Sequence, residues 1–244
     1  MLRVPQNWAE NLAHVRARIA AAAAECGRSV ESVTLMGASK DQPPEAIETL
    51  ARLGVTHFGE SYLQEALAKL EALEPLGLTW HFIGQIQSNK TRPIAEHFAW
   101  VHAVDRLKLA ERLCAQRPYH APPLNVCIQV NIGGEASKGG ASPDEVPRLA
   151  AAIAALPRLA LRGLMCLPPE EQDRSRQRHW FRETRTLFEG LRAARLPLDT
   201  LSMGMSADLE AAVLEGATLV RIGTALFGPR TRGHPARGPD TIPP

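Results

Sequence analysis

The sequence predicts the α/β class, as a single (β/α)8 TIM-type barrel preceded by an extra N-terminal helix. Three observations carry that prediction. Eight short apolar runs recur along the chain, at 33–38, 55–58, 79–83, 100–104, 125–131, 161–166, 200–203 and 218–222. Amphipathic or Ala/Leu-rich segments separate them, at 44–53, 61–73, 88–98, 106–116, 143–156, 173–194 and 206–215. Such alternation builds a parallel sheet with crossover helices, and eight strands match a barrel that usually closes within about 250 residues. The third observation is an absence. An open doubly wound sheet, the competing architecture, carries G-x-G-x-x-G after its first strand, whereas here Lys40-Asp-Gln-Pro-Pro follows.

The first helix is expected over 6–26, because Trp8, Leu12, Val15 and Ile19 recur at helical spacing and Gly27 stops the run. It precedes the first strand and stands outside the repeat. That strand, Val33-Thr-Leu-Met-Gly-Ala-Ser-Lys40, ends in a lysine followed by the turn Asp41-Gln42-Pro43-Pro44. On the helix after the second strand, Lys69 follows Glu65 by four residues and reads as part of a solvated face, as does Lys108 after Asp105. His57 and His81 lie inside strands, beside Phe58 and Phe82, and read as satisfied core histidines. On the long helix 173–194, His179-Trp180-Phe181 reads as a packing face; Arg174, Arg176, Arg178 and Arg182 read as a solvated surface. The barrel domain is expected over 1–228. The tail 229–244, with five prolines, three arginines and no periodic apolar face, reads as flexible.

Composition narrows the function classes. With 244 residues, 45% of them hydrophobic, the chain can bury a large core without disulfides or metal. A net charge of +2 gives no field suited to nucleic acid. Cys26, Cys114, Cys127 and Cys166 are widely spaced and fit reduced thiols better than a zinc site or disulfide framework. Met1 to Asn11 holds no signal-like apolar core, and no apolar run approaches ~20 residues. The expectation is a cytoplasmic protein with no membrane or nucleic-acid partner, working as a monomer.

In such a barrel functional residues gather at the C-terminal ends of the strands. The residues there include Lys40, Glu60-Ser61, Gln85 to Lys90, Asp105, Asn131, Ser137-Lys138-Gly139, Ser206 and Arg221 to Thr224. The chain has 23 arginines but only five lysines, so a lysine at the end of the first strand is a pointed choice. It could be a plain solvated strand end. Lysine, unlike arginine, can also present a free amine that forms a Schiff base with a carbonyl. Ser206 and Gly223-Thr224 each lead into a helix, where backbone amides, small residues and a hydroxyl suit a phosphate. Ser206 as an N-cap to the following helix and Gly223-Thr224 as a tight turn remain open alternatives. Arg221 alternates with Val220 and Ile222 on a strand that has no free edge in a closed barrel. Its head is therefore expected at the barrel mouth, to meet a carboxylate, a phosphate or a heteroaromatic nitrogen. No H-E-x-x-H or acidic pair suggests a metal.

A family resemblance rests on longer blocks. These are Ala38-Ser-Lys40, Phe58-Gly-Glu-Ser-Tyr-Leu-Gln-Glu65, Trp80-His-Phe-Ile-Gly-Gln-Ile-Gln-Ser-Asn-Lys90, Gln129-Val-Asn131, Ser137-Lys-Gly139, Leu161-Arg-Gly-Leu-Met165, Leu201-Ser-Met-Gly-Met-Ser206 and Val220-Arg-Ile-Gly-Thr-Ala-Leu-Phe-Gly228. With them the chain resembles the YggS/PROSC family of pyridoxal phosphate homeostasis proteins, related to the barrel domain of alanine racemase. The resemblance implies pyridoxal 5'-phosphate bound as a Schiff base on Lys40. Ser206, Gly223 and Thr224 would hold its phosphate and Arg221 would face its pyridine nitrogen. It also implies storage and delivery of this vitamin B6 cofactor, with apo PLP-dependent enzymes as partners and no turnover of its own. Ser61 stands where the family usually has asparagine. The position of a racemase histidine holds Leu167, and the only tyrosines are Tyr62 and Tyr119, so a second acid/base for two-face proton transfer is missing. The competing readings are a PLP-dependent amino acid racemase or lyase, and a Schiff-base enzyme acting on a sugar phosphate.

Overall fold

The structure, a computed structural model, describes residues 7–229. Eight parallel strands close into a barrel in sequence order: β1 (Thr34–Ala38), β2 (His57–Glu60), β3 (Thr79–Phe82), β4 (Trp100–Val104), β5 (Leu124–Val130), β6 (Leu159–Cys166), β7 (Thr200–Ser202) and β8 (Leu219–Ile222). The ring is sealed by β1 against β8, with Met36 opposite Arg221 and Gly37 opposite Ile222. The barrel expectation is met strand for strand.

Helix α1 (Trp8–Glu25) precedes the repeat and buries Leu12, Val15 and Ile19, the stripe that its spacing predicts. It packs on α8 (Leu209–Leu214) and α9 (Thr224–Phe227). Arg18 reaches across to Glu210 at 2.6 Å, and the Asn11 amide donates to the Leu226 carbonyl at 3.0 Å. The added helix thus braces the segments that follow β7 and β8. The other crossovers are α2 (Pro44–Arg52), α3 (Leu63–Ala72), α4 (Thr91–His97), α5 (Leu107–Gln116), α6 (Val146–Ala154) and α7 (Arg174–Ala193).

Three sequence expectations change in the folded chain. The second strand runs to residue 60, so Glu60 is the last residue of β2 and its side chain is fully buried. Lys69 is buried on α3 rather than solvated. The arginines of α7 do not form a merely solvated face: Arg178, Arg182 and Arg185 converge on Glu215, a carboxylate only 1% exposed. Arg174 pairs with Glu25 of α1. A buried carboxylate needs charged partners, and these pairs tie α7 to α8. The thiols stand as expected, all four free, with Cys114, Cys127 and Cys166 buried. The tail beyond Pro229 and the first six residues lie outside the described residues.

Candidate functional site

Lys40 sits two residues past β1, half-buried, in a turn closed by the Gln42 amide donating to the Ser39 carbonyl at 3.0 Å. The next residue, Asp41, has φ 60, a left-handed conformation that costs a non-glycine residue of order 1 kcal/mol or more. Such a conformation persists only where the surroundings impose it, and here they do. The Asp41 amide donates to Glu65 Oε1 at 2.9 Å. On the other side of Lys40, the Ser39 amide donates to the Gly59 carbonyl at 2.9 Å and the Ser39 hydroxyl to Glu60 Oε1 at 2.6 Å.

Beneath the turn lies Lys69. Its ammonium donates to the Ser39 carbonyl at 2.8 Å, to Glu60 Oε1 at 2.9 Å and to Glu65 Oε1. Three N–H groups meet three acceptors, so every donor of Lys69 is spent within the protein. Burial pushes the Glu60 carboxyl above the ordinary value, opposed by the Lys69 charge. Glu60 Oε2 is buried with no hydrogen-bond partner among the described residues. The i,i+4 spacing of Glu65 and Lys69 signalled the pair; nothing in the sequence signalled that the β1 turn would cover it.

The loops after β7 and β8 meet beside β1. A Cβ placed on Gly223 would come within 3.7 Å of the Ala38 carbonyl oxygen and 3.8 Å of the Ala38 Cβ, which puts Gly223 next to the end of β1. Ser206 does not cap the helix that follows it. Asp208 is the N-cap of α8, and its carboxylate accepts from the Met205 amide. The Ser206 hydroxyl instead accepts from the Ala225 amide of α9 at 3.1 Å, locking the two loops together, with Thr224 exposed between them. Lys40, Ser206, Gly223 and Thr224 therefore lie on adjoining strand ends.

Arg221 departs from expectation. Its head does not emerge at the mouth: it is 4% exposed, and it donates to the Ser202 hydroxyl at 2.9 Å and to the Ser202 and Cys166 carbonyls. It lies under the ends of β6 and β7, with three of its five N–H groups spent there.

Behind it runs an assembly that the sequence reading half saw. His57 Nδ1 meets His81 Nε2, His81 Nδ1 meets His102 Nε2, and His102 Nδ1 meets Ser202 Oγ, each at 2.9 Å. Burial pushes all three rings below the ordinary histidine value, His102 to about 3 with Arg221 adding to the shift. Each ring is thus neutral, with one donor and one acceptor. Since Arg221 can only donate to Ser202, the order in which the Ser202 hydroxyl also donates runs from Ser202 to His102 to His81 to His57. His81 is the satisfied core histidine expected, whereas His57 is only half-buried and bonds through Nδ1; His102 was missed. Three inward strand positions carrying histidine at 57, 81 and 102 were the available signal.

The remaining expected residues are peripheral or structural. Lys138 is half-buried, donates to the Pro168 carbonyl at 2.8 Å and pairs with Glu135. Ser61 presses its backbone on Gly84, where a Cβ would stand 2.2 Å from the Ser61 carbonyl oxygen, so that approach requires glycine. Leu167 is half-buried directly after β6. Tyr62 and Tyr119 are 54% and 92% exposed. Among the described residues no group of His, Cys, Asp and Glu could hold a metal ion, and no helix is long and apolar enough to cross a membrane.

The donor set fits pyridoxal phosphate. An amine stands in a fixed turn, two hydroxyls and a glycine stand on adjoining strand ends, and a guanidinium has two of its five N–H groups unspent on Ser202 and Cys166. Comparison with known proteins agrees. Residues 10–231 match the family model "Alanine racemase, N-terminal domain". The pyridoxal phosphate homeostasis protein of Pseudomonas aeruginosa is 58% identical over 228 residues, covering 93% of this chain and 98% of its own. That of Escherichia coli is 52% identical over 225 residues, covering 91% and 96%. PipY of Synechococcus elongatus, solved with PLP bound, superposes with a TM-score of 0.81 at 37% identity, over 91% of this chain and all of that one. On this identity, this coverage and this fold, the chain belongs to the pyridoxal phosphate homeostasis protein family, built on the N-terminal domain of alanine racemase.

Proposed function

We propose that this protein holds pyridoxal 5'-phosphate as a Schiff base on Lys40 and serves its storage and delivery to apo PLP-dependent enzymes, without turnover of its own. The observation that carries the reading is the meeting of the pinned Lys40 turn with the joined Ser206 and Gly223-Thr224 loops at one end of the barrel. The cofactor supplies an aldehyde carbon, which condenses with the lysine amine to a C=N bond with loss of one water. The exposed Thr224 and the glycine before it would receive its phosphate, helped by Ser206. The two N–H groups that Arg221 does not spend on Ser202 and Cys166 would be the donors to its ring nitrogen. Because an arginine only donates, it keeps that nitrogen unprotonated and weakens the electron sink on which amino acid chemistry depends.

What supports a carrier without turnover is the missing second acid or base. Leu167 brings no acid or base where a racemase has histidine, and both tyrosines are displayed on the surface. The protein acts in the cytoplasm, as a monomer. Borohydride reduction of the loaded protein followed by mass mapping tests the attachment. The adduct is expected on Lys40 and absent in Lys40→Ala; an adduct on Lys90 or Lys138 would overturn it. Racemase and lyase assays of the pure protein test the rest: sustained turnover would replace the carrier reading with the enzymatic one.

A further inference from the structure

Lys40 is held by a device that lies outside the site itself. Both neighbours of Lys40 in the chain are fastened to the end of β2 and the first turns of α3. Ser39 is held through its amide to Gly59, its hydroxyl to Glu60 and its carbonyl to Lys69. Asp41 is held by its amide to Glu65, in a backbone conformation that it would not adopt alone. Glu60 and Glu65 are in turn held by the same ammonium. Removing that ammonium would loosen both sides of Lys40 at once.

We propose that Lys69, with Glu60 and Glu65, is a positioning clamp for Lys40: it fixes the β1 turn so that the Lys40 amine meets the cofactor aldehyde. The inference rests on the Schiff-base reading given above and deepens it. Lys69 does not bond the cofactor, because all three of its hydrogens are spent on protein acceptors. The clamp acts only on the covalent part of binding. Holding an amine at its partner carbon raises its effective concentration, and slack in the turn lowers it. The phosphate loops are held independently, by Ser206 on Ala225 and by α1 on α8 and α9. Loosening the turn should therefore separate two properties that a general loss of structure would reduce together.

The experiment compares two ligands on purified variants. Pyridoxal phosphate can condense with Lys40; pyridoxine phosphate carries an alcohol in place of the aldehyde and cannot. Lys69→Met should weaken pyridoxal phosphate about tenfold or more and speed its release, while pyridoxine phosphate binds as to the parent. The double variant Glu60→Gln with Lys69→Met removes the buried charges together and should show the same split if the single variant does not fold. Glu65→Gln, at a partly exposed position, should show it in smaller measure. Equal weakening of both ligands, or no weakening of either, overturns the clamp. Lys40→Ala is the control for the underlying reading. If it too leaves pyridoxal phosphate binding intact, the Schiff-base reading fails; if it alone loses the aldehyde ligand, only the clamp fails.

Discussion

On the helix side of the barrel wall Glu60, Glu65 and Lys69 meet as ions, while inside the barrel His81, His102 and Ser202 meet as neutral groups around one charge, Arg221. The first lies beneath the turn that follows β1, and the second reaches Ser202 at the end of β7. They meet the cost of burial differently. The ionic cluster satisfies one ammonium completely and leaves one carboxylate oxygen without a partner. His81 and His102 spend both ring nitrogens on neighbours, and burial keeps the rings uncharged. The comparison teaches that the amine side is fixed by interdependent charges, which fail together, and the arginine side by a chain whose links are individually weaker.

The largest effect should come from breaking the ionic side. Lys69→Ala leaves Glu60 buried without its counter-charge and should cost about 3–5 kcal/mol of stability in urea unfolding. The double variant Glu60→Gln with Lys69→Ala should recover much of it. A loss that is simply additive would mean that the two residues stabilise the fold separately.

Acid should sharpen the contrast, because the two assemblies respond with opposite sign. A histidine held below its ordinary value stays neutral in the fold, while the unfolded chain takes up a proton below about pH 6.5. Native stability is therefore lost as pH falls from that value. With His102 at about 3, its share is about 2 kcal/mol by pH 5. Glu60, raised by burial, binds a proton more readily in the fold, so acidification just above the ordinary carboxyl range favours the native state. Unfolding at pH 7.5 and 5.0 should show a net acid loss that His102→Asn reduces and Glu60→Gln deepens. A parent equally stable at both values would contradict the neutral chain.

A smaller effect is expected where neither assembly reaches. Ser206→Ala and Thr224→Val should each weaken pyridoxal phosphate about tenfold and barely change pyridoxal, because a charge-assisted hydrogen bond is worth roughly 1.5–3 kcal/mol. Parallel weakening of both ligands would give these residues a role in joining the loops, not in holding phosphate. Least change is expected at the thiols. Burial pushes Cys127 up to about 12 and Cys166 up to about 11, so neither should react with a thiol reagent in the native protein at neutral pH. Rapid labelling of either would show that the barrel opens.

The sequence by itself determined the barrel, the added helix and the strand ends on which Lys40, Ser206 and Arg221 sit. Periodicity reports which face of an element is covered, and eight alternations leave few topologies to consider. What lies opposite each face was decided only in three dimensions. The Glu65 and Lys69 pair is visible as a spacing, but its burial depends on a turn that arrives from residues 39 to 41. Ser206 reads as a helix cap because caps are local; its actual partner, the Ala225 amide, belongs to the next strand's loop. Arg221 alternates correctly for an inward residue, yet its depth is set by acceptors on β6 and β7. In each case the reason is the same. Local pattern fixes the direction of a side chain, while the partner that completes it comes from chain 19 to 55 positions distant, through barrel closure alone.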